Sequence, residues 1–210
     1  MDKSRRRLWL IVGIGGFAAL MAALTLGYFF RPFLRARAAL RDVSALQVGK
    51  STYGDARRIL EKWESVPPDC SAAECSWFLW IGNSRLPKWW RGDNGEIFSA
   101  GFHVTNGIVD KRGAGFWIGT GPNVSFASVD EQLHWKQEIA DSFAGASFLV
   151  EPEFGRKTPD YRVYVRLKPD TPADIRSKYL AFDLNCLWKY QGCSNAAQLL
   201  PTVEWPEPPQ

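Results

Sequence analysis

Glu96–Gly119 reads EIFSAGFHVTNGIVDKRGAGFWIG, and this stretch decides the fold. Two runs rich in aromatic and β-branched residues, Glu96–Thr105 and Ile108 through Phe116–Gly119, flank the pair Asn106-Gly107. Both central residues of a type I′ turn need positive φ, which Asn-Gly adopts most readily, so the spacing predicts an antiparallel hairpin. Working outward, Ser76–Gly82 reads as a strand. Val124–Asp130 reads as another, in competition with a helix opening at Ser128-x-x-Glu131 and carrying Leu133 and Ile139. In Tyr161–Leu167 (YRVYVRL), Tyr161, Val163, Val165 and Leu167 alternate with Arg162, Tyr164 and Arg166, as expected of a sheet with one face in water.

Helical grammar brackets these strands. Thr52-x-x-Asp55 has the form of a capping box, and Ala56, Ile59, Leu60 and Trp63 follow at i, i+3, i+4, i+7 before Pro67-Pro68 stops the helix. Near the other end, Thr171-Pro172-Ala173-Asp174 predicts an N-cap, a proline at the first helical position and an acid in the first turn. The helix then runs from about Pro172 to Phe182, with Ile175, Tyr179 and Leu180 inward. Ser194 is expected to cap a short turn through Leu200, ahead of an extended tail over 202–210. The fold class expected is α+β, an antiparallel sheet flanked by an N-terminal helix and C-terminal helices.

Ahead of this domain, Leu8–Phe30 (LWLIVGIGGFAALMAALTLGYFF) carries no charge, and its 23 residues make about 34 Å of helix, enough to cross a bilayer core. Trp9 and Tyr28 stand near its ends, where headgroups favour amphipathic rings. A cleaved signal peptide is the rival, because Met1–Arg7 is basic and Ala36-Arg37-Ala38 has a small-x-small form. The apolar run is longer than a signal peptide's core, and the candidate cleavage site lies past a second basic cluster, which favours an anchor. The expected organisation is a cytoplasmic basic tail over 1–7, a transmembrane helix over 8–30, a juxtamembrane helix or linker over 31–45 interrupted at Pro32, and a domain over 46–201.

Charge alone does not orient the span. Lys3, Arg5, Arg6 and Arg7 precede it and Arg31, Arg35, Arg37 and Arg41 follow it. The overall +4 belongs to this end of the chain, and residues 42–210 sum to −3, so the folded part has no basic signal for nucleic acid. Cysteine decides the orientation. Cys70, Cys75, Cys186 and Cys193 all lie beyond the span in two close pairs, an even number suited to disulfides in an oxidising compartment. Four cysteines allow three connectivities. The short spacings favour local pairing, Cys70 with Cys75 and Cys186 with Cys193, over a metal or redox site. The expected location is therefore a single-pass inner or plasma membrane, N-terminus in the cytoplasm and domain outside.

No catalytic, cofactor or metal motif stands out. His103 and His134 lie in no ligand spacing, Gly119–Pro122 lacks the Lys-Ser/Thr of a phosphate loop, and there is no G-x-S-x-G. Asn123-Val124-Ser125 fits a glycosylation acceptor. The compositional oddity is ten tryptophans, four of them at 77, 80, 89 and 90. In one strand Trp77 and Trp80 face opposite ways, one toward core and one toward surface. Trp89-Trp90, between Pro87 and Arg91-Gly92-Asp93, is expected in a loop, where indoles roof a core, stack a sugar, grip a partner or lie at a membrane interface. Trp80, Trp89, Trp90 and Arg91 are thus the candidate contact residues.

The stretch Leu46-x-Val48-Gly49-x-Ser51-Thr52-x-x-Asp55-Ala56 resembles the strand-turn-helix start of the SmpA/OmlA outer-membrane-assembly lipoproteins, although the chain lacks their lipobox cysteine. The whole arrangement, including Phe182-Asp183-x-x-Cys186 and Gly192-Cys193 through Pro201, is similar to uncharacterised bacterial single-pass membrane proteins with a disulfide-bearing extracytoplasmic domain. Residues and resemblance together lead us to expect a non-enzymatic, membrane-anchored interaction or envelope-associated module. Its partners are the bilayer through 8–30 and an envelope protein or glycan. The alternative is a carbohydrate- or peptidoglycan-binding module using the Trp77–Trp90 region.

Overall fold

The computed structural model describes residues 3–63, 70–84, 86–91, 95–119, 124–154, 161–193 and 196–203. The protein is α+β: a long apolar N-terminal helix, then a mixed sheet of six strands with a few short helices. In chain order, α1 is Lys3–Ala45, α2 Tyr53–Lys62, β1 Glu74–Gly82, α3 Lys88–Arg91, β2 Glu96–Thr105 and β3 Ile108–Ile118. There follow β4 Ser125–Gln132, α4 Gln137–Ser142, β5 Phe148–Phe154, β6 Tyr161–Leu167 and α5 Ala173–Tyr179, with 3-10 turns at Leu184–Leu187 and Ala196–Gln198. The strands lie in the order β1-β2-β3-β4-β6-β5.

The hairpin forms where Asn-Gly places it, with φ of 50° at Asn106 and 81° at Gly107. Its ladder carries one bulge. His103 pairs with Lys111 while Val104 pairs with Val109, so Asp110 is the extra residue. The bulge keeps Val104 and Val109 together in the core and puts Asp110 beside His103.

The sheet is not purely antiparallel as expected, because β4 and β6 pair in parallel, from Phe126 opposite Arg162 to Glu131 opposite Leu167. The excursion through α4 and β5 brings the chain back to run alongside β4. Strand β5 pairs antiparallel with β6 at the sheet edge and was not foreseen; Pro152 within it weakens the strand signal, and an edge is where a missing N–H is tolerated. Trp77, Phe98, Phe102, Phe116, Val129, Val163 and Val165 come from the inward-facing rows of five strands and are buried in one core.

Thr52 caps α2 as its sequence predicts, with the capping box closed in both directions. Bonds from the Thr52 amide and hydroxyl hold the Asp55 carboxyl below the usual carboxylate range. Ala56, Ile59 and Leu60 bury one face of α2. The turn before it needs Gly49, whose φ is +77°. At the other end, Thr171 does not cap α5. Pro172 occupies the cap position, and the buried Thr171 hydroxyl donates to the Ser147 carbonyl at 2.6 Å. Among the described residues beyond α5 the helical structure is two short 3-10 turns, in place of the C-terminal helices expected.

Of the two forms expected for 31–45, the structure takes helix, continuous with the apolar run and unbroken by Pro32. The missing Pro32 N–H removes one backbone bond, and burial of Pro32 accompanies the loss. Ala36, Ala39 and Val43 recur along one side of α1 and are buried with Leu46 in the core. Asp42 accepts from Lys62 Nζ at 2.5 Å and from Trp63 Nε1 at 3.1 Å, tying the end of α2 to α1. Over 12–28 the helix is exposed on every side, and its most apolar window, of mean hydropathy 1.7, is 0% buried. By length and composition it is able to cross a membrane. Pro67-Pro68, Asn123, Ser194 and the tail from 204 lie outside the described residues.

Candidate functional site

Arg112 and Glu131 sit opposite one another on β3 and β4, both facing the core and both 3% exposed. Arg112 donates to Glu131 Oε2 from Nε at 2.9 Å and from Nη2 at 2.6 Å. Its Nη1 donates to the carbonyls of Val43, Ser44 and Leu46, where α1 ends. Arg176 of α5 approaches the same carboxylate oxygen at 3.2 Å. Burial pulls the Arg112 guanidinium below its ordinary value, and Glu131 opposes that shift. One side chain therefore donates to carbonyls in and just beyond the last turn of α1, where intrahelical donors run out, and fastens α1 to the sheet.

A second buried carboxyl, Glu96 at the start of β2, accepts from the Cys193 amide at 2.7 Å and from the Asn83 side-chain amide. Its own amide donates to Asn83 Oδ1 at 3.1 Å. Burial pushes the Glu96 carboxyl up to about 7, with the Cys193 bond and the Arg91 charge opposing. The folded state therefore keeps this proton to a higher pH than the unfolded chain, whose carboxyl titrates near 4.5. The resulting stability is fully present below about 4.5 and is lost as pH rises through about 7. Urea titrations across that window should show a decline of up to about 3 kcal/mol, and Glu96→Gln should flatten it. A wild-type profile that rises from pH 5 to pH 7 would refute this assignment.

The outward face of the sheet carries a row of rings. Trp80 on β1 meets Trp117 on β3 at 5.0 Å, Trp117 meets Phe126 on β4 at 4.6 Å, and Phe126 meets Tyr164 on β6 at 5.5 Å. Arg166 lies 5.9 Å from the Tyr164 ring and 5.7 Å from that of Trp135. Glycines let the rings lie low. A Cβ at Gly115 would stand 2.9 Å from Trp117, and one at Gly101 only 2.4 Å from Phe78. Ser99 and Ser128 are buried in this face, and burial raises the Asp130 carboxyl above its usual range against the pull of Lys111.

Beside this row, His103 Nδ1 lies 2.7 Å from Asp110, and Thr105 Oγ1 donates to Asp110 at 3.1 Å. This is not a nucleophile arrangement. The hydroxyl is on the Nδ1 side, 3.2 Å away, and Nε2 faces Glu74 at 3.8 Å. Among the described residues no group of three or more His, Cys, Asp or Glu is placed to hold a metal ion.

The candidate contact residues separate into two places. Trp77 is buried and Trp80 is 60% exposed on the outer row, as their odd spacing requires. Trp89 and Trp90 sit on the single turn of α3. The Trp90 ring stacks on Phe29 of α1 at 5.3 Å and 8°, and its Nε1 donates to the Trp188 carbonyl at 2.8 Å. Trp188 meets Phe30 edge-on at 5.1 Å, and Tyr190 meets Trp90 at 5.7 Å. Trp90 is thus a bolt between helix and domain, whereas Trp89 is 69% exposed beside it. Arg91 is half-buried next to Glu96. Sequence reading missed Trp117, although Phe116-Trp117 in one strand requires one ring to face outward.

Both cysteine pairs are local: Cys70–Cys75 and Cys186–Cys193 are at disulfide distance, with Cα separations of 4.3 and 5.2 Å, and no described cysteine is free. They fit a domain in an oxidising compartment. No family model, no curated protein and no solved structure matches the chain.

Proposed function

We propose that the chain is a single-pass membrane protein whose domain is a non-enzymatic interaction module outside the cytoplasm, with the outer sheet face as its recognition surface for an envelope protein. The observation that carries this reading is the continuity of α1 from an apolar length with no protein cover into the core of a disulfide-bearing domain. Loss of the N-terminal segment after Ala38 would cut α1 between the buried Ala36 and Ala39 and remove Phe29 and Phe30 from beneath Trp90 and Trp188. These contacts favour a retained signal-anchor, and the two cysteine pairs favour placing residues 1–7 in the cytoplasm and the domain outside.

The full chain should stay in the pellet through carbonate extraction, keep its N-terminus, and be degraded by protease added outside spheroplasts. A mature start after Ala38, or protection of the domain, would overturn the topology. For the recognition surface, a photo-crosslinking residue at Trp117 or Phe126 in living cells should give one discrete adduct, and one at the exposed Lys50 should give none. Equal patterns at all three positions would reject the face. A glycan is the second reading, favoured by a low ring row with the Arg166 guanidinium at its end. In that case Trp117→Ala would abolish co-sedimentation with peptidoglycan sacculi.

A further inference from the structure

Between α1 and the edge strand β1 lies a groove of about 220 Å³, lined by Tyr28, Arg31 and Arg35 on one side and Trp80, Ser84 and Leu86 on the other. Arg31 and Arg35 are one helical turn apart and share a face of α1. Both are exposed, and among the described residues neither forms an ion pair with a carboxylate; the one ring contact of Arg35 is with Trp63, 5.8 Å away. The groove begins where the uncharged run Leu8–Phe30 ends. The domain meets α1 at the same level, through Trp90 on Phe29 and Trp188 on Phe30. Trp89 and Tyr190, both more than half exposed, stand on this rim, where amphipathic rings sit at headgroup depth.

We infer that this groove binds the phosphate headgroup of an anionic membrane lipid, with Arg31 and Arg35 on the phosphate, the Ser84 hydroxyl as a further donor, and the apolar walls of Trp80 and Leu86 against the upper glycerol and acyl carbons. The inference rests on the proposal that 8–30 cross a bilayer. It also accounts for the tie in flanking charge, since two of the four arginines beyond the span are placed for a ligand. A diffuse surface attraction would treat all four alike, whereas the groove singles out two.

The test uses the full chain in nanodiscs of mixed phosphatidylcholine and phosphatidylglycerol, with retained lipids counted by native mass spectrometry. Wild type should retain phosphatidylglycerol preferentially. Arg31→Gln and Arg35→Gln should each reduce that preference about fivefold, the equivalent of about 1 kcal/mol per arginine. Arg37→Gln, exposed and outside the groove, should leave it unchanged. No preference in wild type, or an equal loss from Arg37→Gln, would overturn the inference, and the wild-type result stands even if a variant misfolds. Inorganic phosphate in solution should not displace the lipid; displacement would make this a soluble-anion site and reject the lipid. Carbonate extraction separates the two readings. A chain that anchors but shows no lipid preference rejects the groove alone, and one that is extracted rejects the anchor.

Discussion

Glu131→Ala should cost about 3–5 kcal/mol and lower the melting temperature of the detergent-solubilised protein by roughly 6–20 °C. Removing this carboxylate leaves Arg112 charged and buried, and it strips Arg176 of the oxygen it approaches. Attraction within a buried pair roughly repays desolvation, whereas half of a pair repays nothing. Exchange of the Arg57–Glu61 pair on α2, both members more than half exposed, should change stability by less than about 1 kcal/mol. The double change Arg112→Met, Glu131→Leu separates two explanations. Ordinary buried pairs often tolerate such replacement, but here the carbonyls of Ser44 and Leu46 also lose their Arg112 donor, while that of Val43 keeps only its bond from the Leu46 amide, so the double variant should remain destabilised. Circular dichroism melts and urea titrations read both results. A loss below 1 kcal/mol for Glu131→Ala would mean that the clasp does not hold α1 to the sheet.

The second large effect is expected at Gly192. Its φ is +63°, and a Cβ there would lie 1.5 Å from Glu96 Oε1. Glu96 is fixed by Asn83 and the Cys193 amide, so it has no easy retreat. Gly192→Ala combines the left-handed strain, about 1–2 kcal/mol, with overpacking of about 1–3 kcal/mol. Gly107 supplies the control, because its φ is +81° and nothing lies within 4 Å of its Cβ position. Gly107→Ala should show the backbone cost alone, and the difference between the variants measures the Glu96 contact. Adding Glu96→Ala to Gly192→Ala should give a total smaller than the sum of the single changes. Equal melting temperatures for the two glycine variants would show that Glu96 does not pack under this turn.

What was legible in the sequence was local. Asn106-Gly107 carried the hairpin, Thr52 and Asp55 carried the start of α2, and close spacing carried both cysteine pairs. The parallel pairing of β4 with β6 was not legible, because it depends on where a strand returns after an intervening excursion and not on either strand's own pattern. The docked side of α1 was hidden by chemistry. Ala36 and Ala39 are small enough to pack closely yet give a weak apolar signal among arginines. At Arg112 the bulge was the obstacle. Counted back from Ile118, Arg112 shares the inward parity of Ala114 and Phe116, but counted forward from Val109 it falls on the outward side, and the extra residue Asp110 reconciles the two. The ring row across the sheet escaped notice for a similar reason, since Trp80 was read with its neighbours in sequence and its neighbour in space is Trp117.

The unbroken length of α1 limits how far the domain extends from the bilayer. On the membrane-anchored reading, fifteen residues separate Phe30 from the end of α1 at Ala45, roughly 22 Å of helix. The domain lies alongside that length, touching α1 at Phe29 and Phe30, again at Asp42 and finally at the Val43 and Ser44 carbonyls, where Arg112 donates. Without a tether to pay out, the sheet cannot fish for a distant ligand. On that reading, any partner of the outer face would have to travel in the same membrane or come within a few nanometres of it, and encounters would become a search in two dimensions, set by lateral diffusion and surface density instead of bulk concentration.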